Sequence, residues 1–324
     1  MENERFLVTG AAGCIGAWTL ARLASEGVET FALDLSEDNR RLSLVLGGEE
    51  SHGVRRLVGD IRDPGTVSSA IRQNQITHVV HLAALQVPFC QADPVAGSEV
   101  NVTGTINILE AVRRSDGAVR GLSYASSIAV FGGPDLYPDG RVTDDSPLAP
   151  ATLYGAYKQC NEATARVYAA DWGVGSVGLR PAVVYGVGRD QGLTSDPTKA
   201  MLAAAAGESA HIAFGGTSTF HHADDVAAAF IAAARLSTAG ARVHNVGGVD
   251  APIAEIAGLI ESTVPNVSIT HDDGALPIPA TVDGSHLDSL LNSAVSHRPL
   301  DDGVADTIES FQRLISAGLI RTSN

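Results

Sequence analysis

The sequence predicts an α/β protein in which a doubly wound parallel sheet is followed by a small C-terminal α/β lobe. Short runs dense in Val, Ile and Leu alternate with longer helical segments through the first half, as expected of a parallel sheet covered on both faces. A glycine-rich loop joins the first of these runs to the first helix. After about residue 187 the alternation becomes less regular. Together these features indicate a Rossmann-type sheet with a smaller lobe after it.

The elements of the first half follow from hydrophobic runs and turn residues. Strands are predicted over residues 5–8, 29–34, 54–60, 77–84, 119–127 and 174–181. Helices are predicted over residues 14–26, 64–74, 94–114 and 151–171.

The second half is predicted to be a lobe that leans on the sheet. Its helices are expected near 196–206, 222–236 and 252–262, with short extended pieces at 211–214 and 243–246 and a turn-rich loop at 272–284. The last helix, about 302–317, places Val304, Ile308, Phe311 and Ile315 on one face. No repeat or low-complexity linker separates the halves. We therefore expect a Rossmann domain over 1–187 and a substrate lobe over 188–324, with some chain crossing back to the sheet.

The composition excludes several classes of function. The 22 Lys and Arg residues against 37 Asp and Glu residues give a net charge of −15, which argues against binding to nucleic acid or anionic membranes. The most apolar stretch, 200–207, is far shorter than the ~20 residues of a membrane span, and the N-terminus lacks a signal-peptide pattern. The three cysteines have no metal-binding spacing. This composition fits a cytoplasmic enzyme without a metal site but selects no particular chemistry.

The glycine loop, residues 8–18, points to a dinucleotide. Gly10, Gly13 and Gly16 follow the first strand and open the first helix. Glycine permits a positive φ and a close approach of the backbone to a pyrophosphate, and the helix N-terminus offers N–H donors to the anion. A lone glycine pattern is weak evidence, but its place in a β-α-β unit makes a simple turn the less favoured interpretation.

The end of the second strand favours NAD over NADP. Asp34 lies 18 residues beyond Gly16, where a carboxylate accepts hydrogen bonds from ribose hydroxyls and repels a 2′-phosphate. Arg40 and Arg41 are near enough in sequence to keep NADP as an alternative.

Several motifs occur in a fixed order along the chain. They are TGAAGCIG (9–16), GDIRD (59–63), HLAA (81–84), NVTGT (101–105), YASSIAVFG (124–132), YGAYK (154–158), LRPAVVYG (179–186) and HHADDVAAA (221–229). Over essentially the whole chain the sequence resembles the extended short-chain dehydrogenase/reductase family, which includes the NAD-dependent epimerases and dehydratases of sugars. That resemblance implies that residues 1–187 bind NAD and carry the catalytic residues.

The stretch YGAYK contains two tyrosines and one lysine. The family's YxxxK motif implies that Tyr154, and not Tyr157, is the catalytic acid or base, with Lys158 as its partner. Helix geometry agrees, because residues i and i+4 share a face whereas i and i+1 diverge by about 100°. We expect the ammonium group to lower the pKa of the phenol. The family also implies that Lys158 holds the nicotinamide ribose.

The resemblance implies further site residues. Ser127 would bond the reacting oxygen, with Ser126 as the alternative. The implied cofactor contacts are Gly10, Gly13, Cys14, Ile15, Gly16, Asp34, Asp60, Ile61, Leu82, Ala83, Ala84, Asn101, Tyr154, Lys158, Pro181 and Val184. Substrate contacts are predicted at Gln86, Ser127, Ile128, Arg189, Thr194 and His221. The adjacent His221 and His222 have no third partner in the sequence that would indicate a metal.

Departures from the family pattern bear on the substrate. Nucleotide-sugar members typically carry Asn where this chain has Val183, and Arg where it has Ser218; those side chains bind the diphosphate. The sequence therefore predicts an NAD-dependent oxidoreductase acting on a secondary alcohol or carbonyl of a sugar, sugar acid or polyol. The alternatives are a nucleotide-sugar epimerase that retains its cofactor and a non-enzymatic NAD(P) sensor. A 4,6-dehydratase is disfavoured because Ile128 and Ala129 replace its acidic pair.

The resemblance also implies a homodimer. Many relatives pair through the helices at about 94–114 and 151–171. Apolar side chains suited to such an interface, or equally to an internal core, are Ile106, Leu109, Ala163 and Val167.

Overall fold

The computed structural model describes residues 4–49, 53–236, 239–292 and 295–321. Its centre is a seven-stranded parallel sheet in the order β11-β7-β5-β4-β1-β2-β3, which confirms the predicted doubly wound sheet. These strands are β1 (Arg5–Thr9), β2 (Glu29–Asp34), β3 (Val54–Val58), β4 (His78–His81), β5 (Gly121–Ala125), β7 (Ser176–Arg180) and β11 (Ala241–Asn245).

Helices cover both faces of this sheet. Helices α1 and α9 pack together on one face, and α3 and α6 pack together on the other, with α7 beside α6. Each face has its own apolar core: Phe6, Leu20 and Phe230 are among the buried residues of the first, and Phe31 and Ile71 are among those of the second. The helices are α1 (Cys14–Ser25), α2 (Arg40–Val45), α3 (Pro64–Gln73), α4 (Val87–Ala92), α5 (Pro94–Ser98), α6 (Gly104–Arg113), α7 (Leu153–Trp172) and α9 (Ala223–Arg235).

The smaller lobe is built around a third apolar core that includes Met201, Phe220 and Phe311. Its helices are α8 (Asp196–Ala205), α10 (Ile253–Thr263), α11 (Ser285–Leu291) and α12 (Leu300–Ser316). One sheet has the order β12-β10-β8, and two pairs join β13 with β9 and β14 with β6. These strands are β6 (Arg141–Val142), β8 (Val183–Tyr185), β9 (Ala210–Ile212), β10 (Thr217–His222), β12 (Val249–Pro252), β13 (Ile269–His271) and β14 (Thr281–Val282).

The lobe and the sheet are interleaved along the chain. After the lobe begins, α9 returns to pack on α1, and β11 pairs with β7 at the sheet edge. Within the described ranges, no helix combines the length and apolarity needed to cross a bilayer.

The predicted helix over 94–114 is wrong as a single regular element. The structure has α5, a π-helical segment (Glu99–Thr103) and α6 in succession, because one extra residue in the turn around Asn101 lengthens the hydrogen-bond spacing. Short strands such as β8 and β12 were also not predicted, since three or four residues carry too little periodicity to be recognised.

Candidate active site

A cleft of about 510 Å³ lies at the carboxyl ends of the central strands, where ligands bind in sheets of this kind. The loops that follow β1, β2, β4, β5 and β7 all contribute to its walls. Most predicted site residues line it: Gly10, Gly13, Cys14, Ile15, Gly16, Asp34, Asp60, Ile61, Leu82, Ala83, Ala84, Gln86, Ser127, Ile128, Tyr154, Lys158, Pro181, Val184, Arg189 and Thr194. The structure therefore brings together residues that are up to 184 positions apart in the sequence.

The glycine loop forms a tight cradle at one end of the cleft. Gly10 has a φ of +68°, and a Cβ at Gly16 would lie 2.3 Å from the carbonyl oxygen of Gly10. Helix α1 begins at Cys14 without a side-chain cap on its first N–H groups. Uncapped N–H groups and the positive end of the helix dipole suit a pyrophosphate. Burial raises the pKa of the Cys14 thiol to about 12, so this group is neutral at pH 7.

Asp34 stands beside the glycine loop with its carboxylate held by the backbone. Oδ2 accepts from the N–H of Ala12 at 2.9 Å, and Oδ1 accepts from the N–H of Leu35 at 2.8 Å. Arg40 and Arg41, the two arginines that kept NADP as an alternative cofactor, are both paired with the carboxylate of Asp190, at 2.8 and 2.7 Å. This arrangement suits ribose hydroxyls better than a 2′-phosphate.

Tyr154, Lys158 and Ser127 meet at the other end of the cleft. Tyr154 and Lys158 lie one turn apart on α7, with Lys158 Nζ 5.5 Å from the phenol ring centroid. Lys158 Nζ donates to the carbonyl oxygen of Ala125 at 2.7 Å, and Ser127 is near enough to Tyr154 to lower the pKa of its phenol. Tyr157 instead donates its hydroxyl to the Pro94 carbonyl at 2.9 Å and does not line the cleft.

Gly155 allows α7 to approach the serine loop. A Cβ at this position would lie 2.0 Å from the carbonyl oxygen of Ala129, a distance that no side chain tolerates. Thr152 fixes the start of the helix by accepting from the N–H of Gly155 at 3.1 Å. The glycine inside YGAYK is therefore what lets Tyr154 reach Ser127.

Burial dominates the protonation of the catalytic pair. It raises the pKa of Tyr154 to about 12, against the lowering effects of the Ser127 hydrogen bond and of Arg189. It lowers the pKa of Lys158 to about 8. The expectation that the lysine lowers the phenol pKa below its usual value is therefore wrong for this protein without ligands, because desolvation penalises both charged forms.

The structure separates the two candidate serines. The Ser126 hydroxyl donates to Glu162 Oε1 at 2.5 Å, and Glu162 is paired with Arg180 at 2.7 Å, fully buried. Ser126 is thus engaged in a buried network. Ser127, whose hydroxyl oxygen accepts only from the nearby N–H of Ala129 among the described hydrogen bonds, is the serine that influences the pKa of Tyr154.

Two predicted contacts are not brought to the cleft. Asn101 is fully buried in the π-helical segment, and its amide donates to the carbonyls of Gly97 and Leu85 at 2.9 and 3.1 Å. His221 uses both ring nitrogens, one with the Gly247 carbonyl at 2.8 Å and the other with the Ala182 N–H at 2.9 Å. Burial lowers the pKa of His221 to about 3, so the ring is a neutral structural group and has no nitrogen left for a substrate.

Sequence reasoning missed part of the cleft wall. Apolar side chains at the substrate end come from distant loops, and two arginines stand nearer the cofactor end. These additional lining residues are Arg41, Arg62, Phe89, Leu193, Leu276 and Ile278. Arg62 lies within GDIRD and could have been found there, whereas nothing local marks Leu276 or Ile278.

Comparisons with known proteins agree with this geometry. The model of a family described as the NAD dependent epimerase/dehydratase family matches residues 6–247. A UDP-glucose 4-epimerase of Mycolicibacterium smegmatis is 29% identical over 95% of this chain and 98% of its own.

Solved structures align over nearly the whole chain. The UDP-glucose 4-epimerase of Thermus thermophilus in complex with NAD has a TM-score of 0.80 and 26% identity, covering 95% of this chain and 99% of that one. MoeE5 in complex with UDP-glucuronic acid and NAD has a TM-score of 0.79 and 26% identity over the same shares. With its glycine cradle, acidic strand end and paired tyrosine and lysine, this chain is an enzyme of the NAD-dependent epimerase/dehydratase family.

Proposed function

We propose that this enzyme moves a hydride between NAD and a secondary alcohol or carbonyl of a small carbohydrate-like substrate, namely a sugar, sugar acid or polyol. The carrying observation is that Tyr154, Lys158 and Ser127 line the same cleft as the glycine cradle, with Lys158 Nζ 5.5 Å from the phenol ring centroid. A proton-transfer group and a dinucleotide cradle in one cleft are the two requirements of nicotinamide redox chemistry.

The residues of the cleft fit NAD. A Cβ at Gly10 would meet the backbone of Ala83, and a Cβ at Gly16 would meet the Gly10 carbonyl, so these glycines let the loop and the start of α1 fold tightly into a cradle for a pyrophosphate. Asp34 faces the same cleft to accept from ribose hydroxyls. Asp60 and Ile61 would border the adenine, and Pro181 and Val184 the nicotinamide. When bound, NAD supplies the hydride acceptor; all proton handling belongs to this chain.

Tyr154 is the proton-transfer group of the proposed mechanism. Its neutral phenol can donate a proton to a carbonyl oxygen during reduction, and its phenolate accepts one from the hydroxyl during oxidation. Ser127 orients the reacting oxygen through its hydroxyl, and Lys158, charged below its lowered pKa of about 8, stabilises the phenolate when that forms.

The substrate end supports a ligand without a diphosphate. Val183 is fully buried in the core of the smaller lobe, and Ser218 is buried too, so neither position offers the amide or guanidinium that a diphosphate requires. The cleft arginines Arg41 and Arg62 are paired with acidic groups. Among the described residues, Arg189 is then the one arginine lining the cleft that has no carboxylate partner.

A nucleotide-sugar epimerase is the second candidate. The full-length similarity to a UDP-glucose 4-epimerase favours it, and the same tyrosine and serine would then act twice while the cofactor stays bound. The two candidates differ in whether NADH accumulates.

The test is an NAD+ reduction screen at mildly alkaline pH, followed by NADH absorbance, over free sugars, sugar acids, polyols and nucleotide sugars. We expect NADH from a free sugar, acid or polyol, with Tyr154→Phe lowering the rate about 10²–10⁴-fold while NAD binding persists. Tyr157→Phe is the matched control on the same helix and should keep full activity. An epimer formed from a nucleotide sugar without NADH release would instead establish the second candidate.

We further propose a homodimer in a reducing compartment such as the cytoplasm. The free state of Cys14, Cys90 and Cys160 supports the compartment.

A further inference from the structure

A cluster of two histidines and one aspartate lies outside the cleft, on three separate segments. Asp144 follows β6, His244 belongs to β11, and His286 opens α11. Asp144 Oδ2 is 2.7 Å from His244 Nδ1 and 3.3 Å from His286 Nδ1. One ligand atom from each of the three residues lies within 4.8 Å of the other two.

The carboxylate at the centre of this cluster is held in position by other groups. Its Oδ1 accepts from the N–H of Asn245 at 2.6 Å, which leaves Oδ2 directed at the two imidazoles. The backbone carbonyl of Asp144 accepts from Arg180 at 3.0 Å, and the charge of Arg180 is balanced by Glu162. Carboxylates that bind metals in proteins are usually held in this way by hydrogen bonds from surrounding groups.

The buried histidine presents one ring nitrogen to the carboxylate. His244 is 3% exposed, and its Nδ1 faces Asp144 Oδ2, whereas its Nε2, on the other side of the ring, has no hydrogen-bond partner among the described residues. Nδ1 is therefore the atom through which this side chain would bind an ion. His286, by contrast, is 67% exposed at its side chain, which leaves an entry path and room for water as a further ligand.

We propose that Asp144, His244 and His286 bind one divalent transition-metal ion of the Zn²⁺ class. Nitrogen and carboxylate ligands at about 2.0–2.2 Å from a tetrahedral ion are separated from one another by about 3.3–3.6 Å. The 3.3 Å between Asp144 and His286 matches this separation, whereas the 2.7 Å between Asp144 and His244 is a hydrogen-bond distance that would lengthen when an ion binds. Imidazole ligands favour Zn²⁺, Ni²⁺ and Cu²⁺ over Mg²⁺ or Ca²⁺, which prefer oxygen.

The proposed ion would act as a structural staple. It would tie α11 to β11 of the central sheet and to the loop after β6. The segment that enters α11 includes β14, which pairs with β6, and just before it lie Leu276 and Ile278 of the cleft wall. The metal would therefore hold the substrate-side wall against the sheet at a site separate from the catalytic residues.

The test titrates the full chain, purified without a histidine tag and stripped with a chelator, with Zn²⁺ by calorimetry and with Co²⁺ by visible absorption. We expect one bound ion per chain and a Co²⁺ band typical of a tetrahedral site. His286→Gln should weaken Zn²⁺ binding by about 10–100-fold or more; the side chain is exposed, so the variant should fold.

His211→Gln is the matched control, because His211 also faces a carboxylate, Asp272, at 3.1 Å but has no third ligand group among the described residues. Its Zn²⁺ affinity should equal that of the unchanged protein. Asp144→Asn, which keeps the acceptor for Asn245, should weaken binding like His286→Gln. Equal Zn²⁺ affinity in His286→Gln and His211→Gln, or the absence of any Co²⁺ band, would overturn the proposal. The cluster would then be held only by the contacts between Asp144 and the two histidines.

Discussion

Neighbouring residues of the stretch 154–158 have different tasks. Tyr154 and Lys158 face the cleft, Tyr157 anchors the helix to the Pro94 carbonyl, and Gly155 sets the distance between the helix and the serine loop. The phenol is partly buried, and desolvation raises its pKa to about 12, so its protonation and not its placement limits its use as a base.

The first prediction concerns the pH dependence of the reaction. Burial raises the pKa of Tyr154 to about 12, so the phenolate fraction rises about tenfold per pH unit below that value. We expect kcat/KM for alcohol oxidation to climb with pH through the neutral range and to level off above about pH 8, where Lys158 loses the charge that stabilises the phenolate. Carbonyl reduction, which uses the neutral phenol, should stay flat below that pH. Initial rates in both directions measure this. An oxidation profile that does not change with pH would mean that another group takes the proton.

The second prediction concerns Gly155. A Cβ at 2.0 Å from the Ala129 carbonyl forces α7 and the serine loop apart. Gly155→Ala should therefore lower kcat by about 100-fold, since displacements of about 1 Å have such effects, while NAD affinity is retained. Ala156→Gly, at the exposed neighbouring position, is the control and should keep most activity. Equal kcat values for the two variants would contradict the role assigned to Gly155.

Residues named from the sequence lie together in the structure where a motif fixes their spacing. The glycine loop, Asp34 and the tyrosine–lysine pair all line the cleft, and the roles assigned to them stay predictions. The choice between Ser126 and Ser127 depended on Glu162, which is 36 residues away from Ser126 and has no local sign of its contact. Asn101 and His221 were placed by motif alone, and buried hydrogen bonds that no motif specifies turn both away from the cleft.

At the scale of elements, α7 is joined to β7 by a buried ion pair. Glu162 and Arg180 are almost completely buried and form two hydrogen bonds of 2.8 and 2.7 Å. Glu162 also receives the Ser126 hydroxyl. The pair therefore fixes the catalytic helix against the strand that leads to Pro181.

Breaking this pair should be costly. Glu162→Gln leaves the Arg180 charge buried without compensation, and we expect a loss of about 3–5 kcal/mol in the free energy of unfolding, measured by urea denaturation. Glu309→Gln is the control: Glu309 pairs with Arg313 on the surface of α12, and exposed pairs contribute little. If the two variants unfold at the same urea concentration, the buried pair is not what holds α7 in place.

Element boundaries were predictable where periodicity and caps agree. Helix α3 begins at Pro64, as predicted, and Asp63 caps its first N–H groups. The π-helical segment around Asn101 could not be predicted, because its extra residue is stabilised by tertiary contacts, including the bond from Asn161 to the Asn101 carbonyl at 2.9 Å. Strands of three residues such as β8 are likewise fixed by pairing with β10 and not by their own sequence.

At the scale of the molecule, the chain crosses repeatedly between the sheet and the smaller lobe. In chain order, α8 and β10 of the lobe come before α9, which packs on the central sheet, and before β11, which forms an edge strand of that sheet. The cleft wall contains Leu276 and Ile278, far in sequence from the glycine loop. Hydrophobic patterns specify which faces are buried, but long-range pairings of this kind depend on the complete fold.

The proposed homodimer rests on an exposed face of α7. Four exposed residues recur at helical spacing along this face: Ala156, Cys160, Ala163 and Val167. Val95, on the adjoining helix α5, is also exposed. Leu109 is buried in the core and so serves the monomer and not an interface. Contiguous exposed apolar side chains of this kind mark association surfaces.

Val167→Glu should therefore convert a dimer into a monomer, because a twofold interface brings the substituted residue, or its close neighbours, near their copies and buries two uncompensated charges. Sedimentation velocity at micromolar concentration measures the change. The control variant Leu136→Glu places the same charge at an exposed apolar residue outside α5 and α7, and it should stay dimeric. A monomeric unchanged protein, or dissociation by both variants alike, would contradict the assignment of α7 to the interface.

Because α7 also carries Tyr154 and Lys158, we expect the monomeric variant to lose activity in proportion to any loss of helix stability. Thermal unfolding of the same samples would measure that loss.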